Sequence, residues 1–416
     1  MKKHASFQRS ILAATCFATT LATTLGSNIA VAEIKMDYGS NLRYRYEFFD
    51  RDQDAMTPPD ATSKASTARL GLFAKATLTS NFAAYVDIEA IEQVGEDDYN
   101  IPTIPGQAIP GYPIISDPQG AEVNQGYLSY TAWGGKVQAK LGRQEVMLNN
   151  GRFVSFSGWR QNHQSFNGFT ASFMPATSVK IDYGYLTKLL RVSGEEATNG
   201  RTDMDSHFVN AAYTLKDVGV FKAYALLLDF ETERTNSADT FGVRYEGNMP
   251  MGGIRFLSTL DYATQTEAGD NPNTIDADYL LAELGIQVAD IAFRIGYNLL
   301  EGSSTTNKFI TPLAHPFNGW TELFLANPSL GTSHGLEVMS LSAIGKVPGT
   351  SNLTFTTIYY DYSSDTGDAS YGTGLDFQLE YKANPKTTVG WRWGQYMADE
   401  LFSDAVRTSL YMAYTF

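Results

Sequence analysis

Val406-Arg-Thr-Ser-Leu-Tyr-Met-Ala-Tyr-Thr-Phe416 alternates residue by residue: Val406, Thr408, Leu410, Met412, Tyr414 and Phe416 on one face, Arg407, Ser409, Tyr411, Ala413 and Thr415 on the other. A period of two is that of a β-strand, whose side chains point to opposite faces in turn. A closing strand with an aromatic last residue is expected where it must pair with the first strand, because a closed barrel leaves no open edge.

The same period recurs upstream. Leu42, Tyr44, Tyr46 and Phe48 enclose Arg43, Arg45 and Glu47; Ala68, Leu70, Leu72 and Ala74 enclose Arg69; Ile291, Phe293, Ile295 and Tyr297 enclose Arg294. Helical spacing would spread these charges around a cylinder, whereas strand spacing collects them on one face. The pattern predicts strands near 35–49, 66–79, 81–94, 122–132, 135–146, 159–173, 177–187, 205–216, 218–231, 238–248, 252–265, 275–288, 290–301, 335–345, 352–362, 371–383, 386–397 and 404–416. Every other connection is very short, as at Ser80-Asn81 and Asn384-Pro385, and the intervening ones are longer, above all 95–121 and 302–334. The expectation is an all-β, membrane-spanning antiparallel β-barrel of about 18 strands, with short periplasmic turns, long extracellular loops and both termini in the periplasm of a Gram-negative outer membrane. Residues 309–328 are too apolar for a free loop and are expected against the rim or interior; the proline-rich 95–121 either covers the mouth or enters the lumen.

The N-terminus agrees. Lys2, Lys3 and Arg9 precede an apolar run from Ile11 to Leu25 and an Ala30-Val31-Ala32 site, so residues 1–32 read as a cleaved signal peptide and 33–416 as the barrel. The leader holds Cys16, the chain's one cysteine, which excludes a disulfide or Cys-metal site from the remainder. It also holds three bases and no acid, so its loss leaves a chain still more acidic than the overall −14, which argues against nucleic-acid binding.

Other chemistry is poorly represented. His163 and Ser165 share a face, but no third group orients them as a hydrolase requires, and no enzyme is expected. Asp50, Asp52 and Asp54 resemble the start of a Ca²⁺ loop, yet Ala55 and Ala61 stand where Gly and Glu belong. His315 and His334 lack metal-ligand spacing, and no phosphate loop or dinucleotide fingerprint is present, so neither metal nor cofactor is expected. Expected partners are outer-membrane lipid and lipopolysaccharide, the outer-membrane assembly machinery through Phe416, and anionic or neutral saccharide solutes.

Leu141-Gly-Arg-Gln144, Gly151-Arg-Phe-Val154, Trp159-Arg-Gln161 and Gln164-Ser-Phe-Asn-Gly168, with Phe317-Asn-Gly-Trp320 downstream, resemble the alginate-export family of outer-membrane barrels. The resemblance implies an eighteen-stranded barrel with an electropositive lumen, the founding members exporting the polyanion alginate.

Strand parity sets the candidate lumenal residues. Arg43, Arg45, Arg69, Lys75, Lys140, Arg244, Arg255, Arg294, Arg392 and Arg407 lie on polar phases. Arg160 and Gln164, counted back along the strand from Phe169, also point inward, and Arg143 and Arg152 flank a loop at the pore mouth. Guanidinium groups keep their charge and fork onto carboxylates. Two readings follow: an Arg-lined path for alginate-like uronates, or arginines that pair with inward acids such as Asp87, Glu89 and Glu283 and pack the wall. The corresponding functions are passive passage of an anionic polysaccharide or oligosaccharide, and a non-selective small-solute porin.

Overall fold

The computed structural model describes residues 34–52, 62–313, 317–324 and 333–416. The expected leader, Asp54 and His315 lie outside them.

Eighteen antiparallel strands form one sheet. They are β1 (Lys35–Arg51), β2 (Ser63–Thr77), β3 (Phe82–Asp98), β4 (Gly120–Ala132), β5 (Val137–Gln144), β6 (Ser165–Ala176), β7 (Val179–Leu190), β8 (Arg201–Leu215) and β9 (Gly219–Leu228), then β10 (Ala238–Met251), β11 (Ile254–Glu267), β12 (Asp276–Val288), β13 (Ile291–Leu300), β14 (Leu336–Lys346), β15 (Leu353–Ser363), β16 (Ser370–Asn384), β17 (Thr387–Ala398) and β18 (Ala405–Thr415). Each pairs with its sequence neighbours, and β18 pairs with β1 from Asn41↔Thr415 to Arg51↔Ala405. The Phe416 N–H donates to the Ser40 carbonyl at 2.9 Å, so the chain's last residue seals the seam.

Burial is inverted relative to a water-soluble protein. Leu128, Leu141, Val243, Leu284, Leu341 and Leu410 are each more than half exposed on the outer face, while Arg45, Glu47, Asp117 and Gln161 have no exposure at all. Lipid therefore solvates the aliphatic skin, and the charged groups sit inside.

The period-two reading finds all eighteen strands, with every boundary within four residues of the observed one except a single start. The expected strand 159–173 begins only at Ser165. Residues 145–164 leave the wall at Gln144, enter the lumen and return, so Arg160 and Gln164 belong to an inward loop and not to a strand. The 301–335 connection joins it: Phe309 and Leu313 are fully buried, and Phe309 packs against Phe153 and Tyr279 with ring centroids 5.7 and 5.6 Å away. The expectation that this apolar loop packs inside holds for its described residues. Residues 99–119 also turn in, burying Ile101, Ile104 and Ile115 and carrying Asp117 to the wall.

The external rim is stepped. β4 pairs with β5 only from Gly126 to Ala132, so its residues 120–125 have no β5 partner. Gly142, at φ +131°, lets β5 press against β4: a Cβ there would lie 2.3 Å from the Gly126 carbonyl oxygen.

Candidate functional site: a plugged, charged lumen

Two inward loops meet across the bore. The Gln164 side-chain amide donates to the Ser155 and Leu313 carbonyls at 2.8 and 3.0 Å, tying 145–164 to 301–335. The wall grips both. Arg43 spends every donor type on the first loop: Nε to Gln161 Oε1 at 2.8 Å, Nη1 to Gly158 O and Nη2 to Trp159 O at 2.9 Å, with Nη2 also on Arg160 O. On the second loop, the Trp320 N–H donates to both carboxylate oxygens of the buried Asp376 on β16 at 3.1 Å.

A charge network ties wall and plug together. Glu47 on β1 faces Arg45 at 3.2 Å, Arg160 at 3.4 Å and Arg407 of β18, while Glu322 of the second loop receives Arg160 and Arg407, the latter at 2.8 Å. Arg45 also bonds Asp117. Burial alone would raise the Glu322 carboxyl's pKa, but Arg160 and Arg407 hold it below its ordinary value. Conversely, burial would lower Arg160, and Glu322 and Glu47 override it to hold its proton more tightly. Arg152 contacts no carboxylate: it bonds Asn298 at 2.6 Å and Asn318 at 3.4 Å, and burial lowers its pKa more than the distant Asp261 raises it.

The expected lumenal residues thus divide. Arg45, Arg69, Arg160, Arg244 and Arg407 are matched by carboxylates, including Arg69 to Glu89 at 3.2 Å and Arg244 to Asp261 at 2.7 Å. Arg143 stands at the external rim: it follows the phase of Leu141 and bridges Glu195, Asn167 and the Val123 carbonyl, capping the unpaired edge of β4. Arg152 and Gln164 are interior struts of the plug. Lys140 lies 4.5 Å over the Tyr127 ring, Arg255 bonds Asn248, and Lys75 and Arg294 have no hydrogen bond or ion pair among the described residues. Of the inward acids named as partners, Glu89 fills that role, while Asp87 and Glu283 form no ion pair among the described residues.

Arg392 on β17 stands apart. Its guanidinium lies between two indoles, 3.6 Å from the Trp159 centroid and 4.3 Å from that of Trp320, and Arg45 covers Trp159 at 4.7 Å. The stack Arg45–Trp159–Arg392–Trp320 therefore runs from wall to plug to wall to plug. Only Nε of Arg392 is engaged, donating to Gln378 at 2.9 Å; its Nη groups have no hydrogen bond among the described residues. Arg392 and Arg43 line a cavity of about 500 Å³ roofed by residues 157–160 and 319–320, with Tyr411, Glu380 and Ala413 below. A second cavity, of about 790 Å³, lies at the external side among Glu89, Glu122, Arg143, Asn162, Glu195 and Glu196. Strand parity placed the arginines, but their acid partners Asp117 and Glu322 come from loops and carry no periodic signal. The Trp159 and Trp320 motifs were visible, though not their stacking.

His163 is a plug contact. Its ring nitrogens meet Arg69 at 2.6 Å and Glu145 at 2.7 Å, and no hydrogen bond joins it to Ser165.

A closed eighteen-stranded barrel with an aliphatic skin and a wet, ionic, loop-constricted bore is an outer-membrane channel of the porin class. The family model for alginate export matches residues 34–293, and the chain belongs to that family. Similar solved structures include Acinetobacter baumannii OccAB4 (15% identity, 93% of this chain and 99% of that one, TM-score 0.70) and Pseudomonas aeruginosa OccK9 (OpdG) (13%, 92% and 98%, 0.71). A BenF-like porin from Pseudomonas fluorescens Pf-5 is also similar (15%, 91% and 98%, 0.68). At these identities the likeness is one of fold. No curated protein matches the chain.

Proposed function

We propose that the channel passes small anionic saccharides, uronate-type oligosaccharides above all, by passive diffusion. The supporting observation is the Arg392 fork: a guanidinium lining a 500 Å³ cavity whose Nη donors have no hydrogen bond among the described residues, beside Arg43, which forms no ion pair among them either. A planar donor pair of this kind suits a carboxylate, and stacking on indole keeps it presented without neutralising it. Because the two loops cross the bore, the reading is restricted to oligomers or to a single narrow chain. Weak contacts at several cations let the cargo enter and leave. The second reading, a non-selective porin for small solutes, draws on the matched charges of Arg45, Arg69, Arg160 and Arg244. Planar-bilayer recording separates the two. The anion reading expects a reversal potential of anion sign in a salt gradient and block by oligouronates, both weakened in Arg392→Gln; no anion preference and no block would favour the general porin.

A further inference from the structure

The two cavities carry opposite charge. The outer one is lined by Glu89, Glu122, Glu195 and Glu196 against Arg143 and Arg201; the inner one by Arg43, Arg45, Arg160 and Arg392 against Glu322 and Glu380. Groups without an ion pair among the described residues keep the same sign of excess: Glu122 and Glu196 outside, and Arg43 and Arg392 against the single acid Glu380 inside. A single stretch of plug separates them, since Ser157 to Arg160 roof the inner cavity and Asn162 lines the outer one. The rims continue the trend, with Glu92, Glu96 and Asp97 exposed at the external end of β3 and Lys75, Lys136 and Lys382 exposed toward the periplasm.

We propose that this bore is an ionic rectifier, conducting better when the periplasmic side is negative than when it is positive. The proposal rests on the channel reading above. With the periplasm negative, anions are driven into the basic inner cavity and cations into the acidic outer one, so carriers accumulate where the two regions meet. With the voltage reversed, both are drawn away and that junction is depleted. With Arg45 and Arg160 matched by Glu47 and Asp117, and Glu89 by Arg69, about one net charge remains in each cavity. That is a fixed-charge density on the order of a few molar, well above a ~0.1 M bath, where the screening length is about 10 Å. The acidic and basic regions therefore keep their separate characters in dilute salt and lose them in concentrated salt.

The test is current–voltage recording of the full chain in a planar bilayer. With Cys16, the chain's one cysteine, replaced by Ser, Asp97→Cys supplies a single thiol, and its reaction from one side with a bulky impermeant reagent marks orientation. The expected ratio of currents at opposite voltages is about twofold or more in ~0.1 M salt, larger with the periplasmic chamber negative, and close to one in ~3 M salt. Glu122→Gln with Glu196→Gln should reduce the ratio toward one. Glu196→Gln alone, at an exposed loop position, should reduce it partly and guards against misfolding of the double variant. Symmetric currents through an open channel, or asymmetry of the opposite sign, would overturn rectification and leave the channel standing. Absence of any conductance would overturn the channel reading itself.

Discussion

Replacing Arg43 with alanine should unlatch the plug. The side chain holds residues 158–161 through four charge-assisted hydrogen bonds and meets no carboxylate, so its loss strands no buried anion. Bonds of this type contribute about 1.5–3 kcal/mol each when removed singly. They share one guanidinium and are not additive, and removal also relieves repulsion from nearby Arg45 and Arg69, so a net loss of about 3 kcal/mol is reasonable. At about 1.4 kcal/mol per decade, the population with this loop displaced should rise by roughly a hundredfold. Single-channel recording would register it as far more frequent excursions to a larger conductance. Arg43→Lys keeps the charge without the planar fork and should show the same excursions while retaining more of the anion preference. An Arg43→Ala channel with wild-type conductance and open-state statistics would refute the latch.

Three further outcomes follow from the same geometry. Arg407→Ala removes one of three arginines facing Glu47 and leaves the buried cluster with an acid in excess, so it should destabilise the barrel by about 3 kcal/mol, read as a lower unfolding temperature of the compact form on gels. Lowering the pH tests the plug through Glu322: its carboxyl is held below the ordinary 4.5, so the stabilisation it supplies is complete above that value and is lost as pH falls through the depressed folded-state pKa. The difference in conductance between the wild type and Glu322→Gln should therefore be flat from neutral pH down to about 4.5 and close only in stronger acid; a change in that difference already at pH 6 would contradict the assignment. Gly142→Val, at positive φ and with its Cβ against the Gly126 carbonyl, should reduce the yield of folded barrel, whereas Gly134→Ala, in an open turn, should give less impairment.

Period two was enough to mark the wall because every strand has lipid on one side and the lumen on the other, and the alternation of loop lengths oriented it. Parity fails where an extended segment leaves the sheet. Residues 159–164 keep a strand-like alternation, but Arg160 is buried because Glu47 and Glu322 meet it from sequence positions more than 110 residues away on either side. The arginines were legible as inward groups, but their neutralisation was not: Asp117 and Glu322 lie in irregular loops, and only closure of the cylinder brings them to Arg45 and Arg407. Arg143, read as flanking a loop at the pore mouth, gave no hint of the acid it meets there, Glu195 of another loop. It is outward by parity and serves at a rim whose step arises from unequal strand lengths.

Glu47 and Arg407 face each other across the junction of first and last strands, and the same two residues reach Arg160 and Glu322 on the inward loops. Zipping up the cylinder and docking its contents are thus one event chemically. Threading the loops in afterwards would require reopening a buried ion cluster, so a nascent barrel should carry its stopper in place before the final hydrogen-bonded rows form. Variants weakened at this cluster should linger longer as unzipped sheets before maturing, rather than accumulate as hollow, leaky tubes.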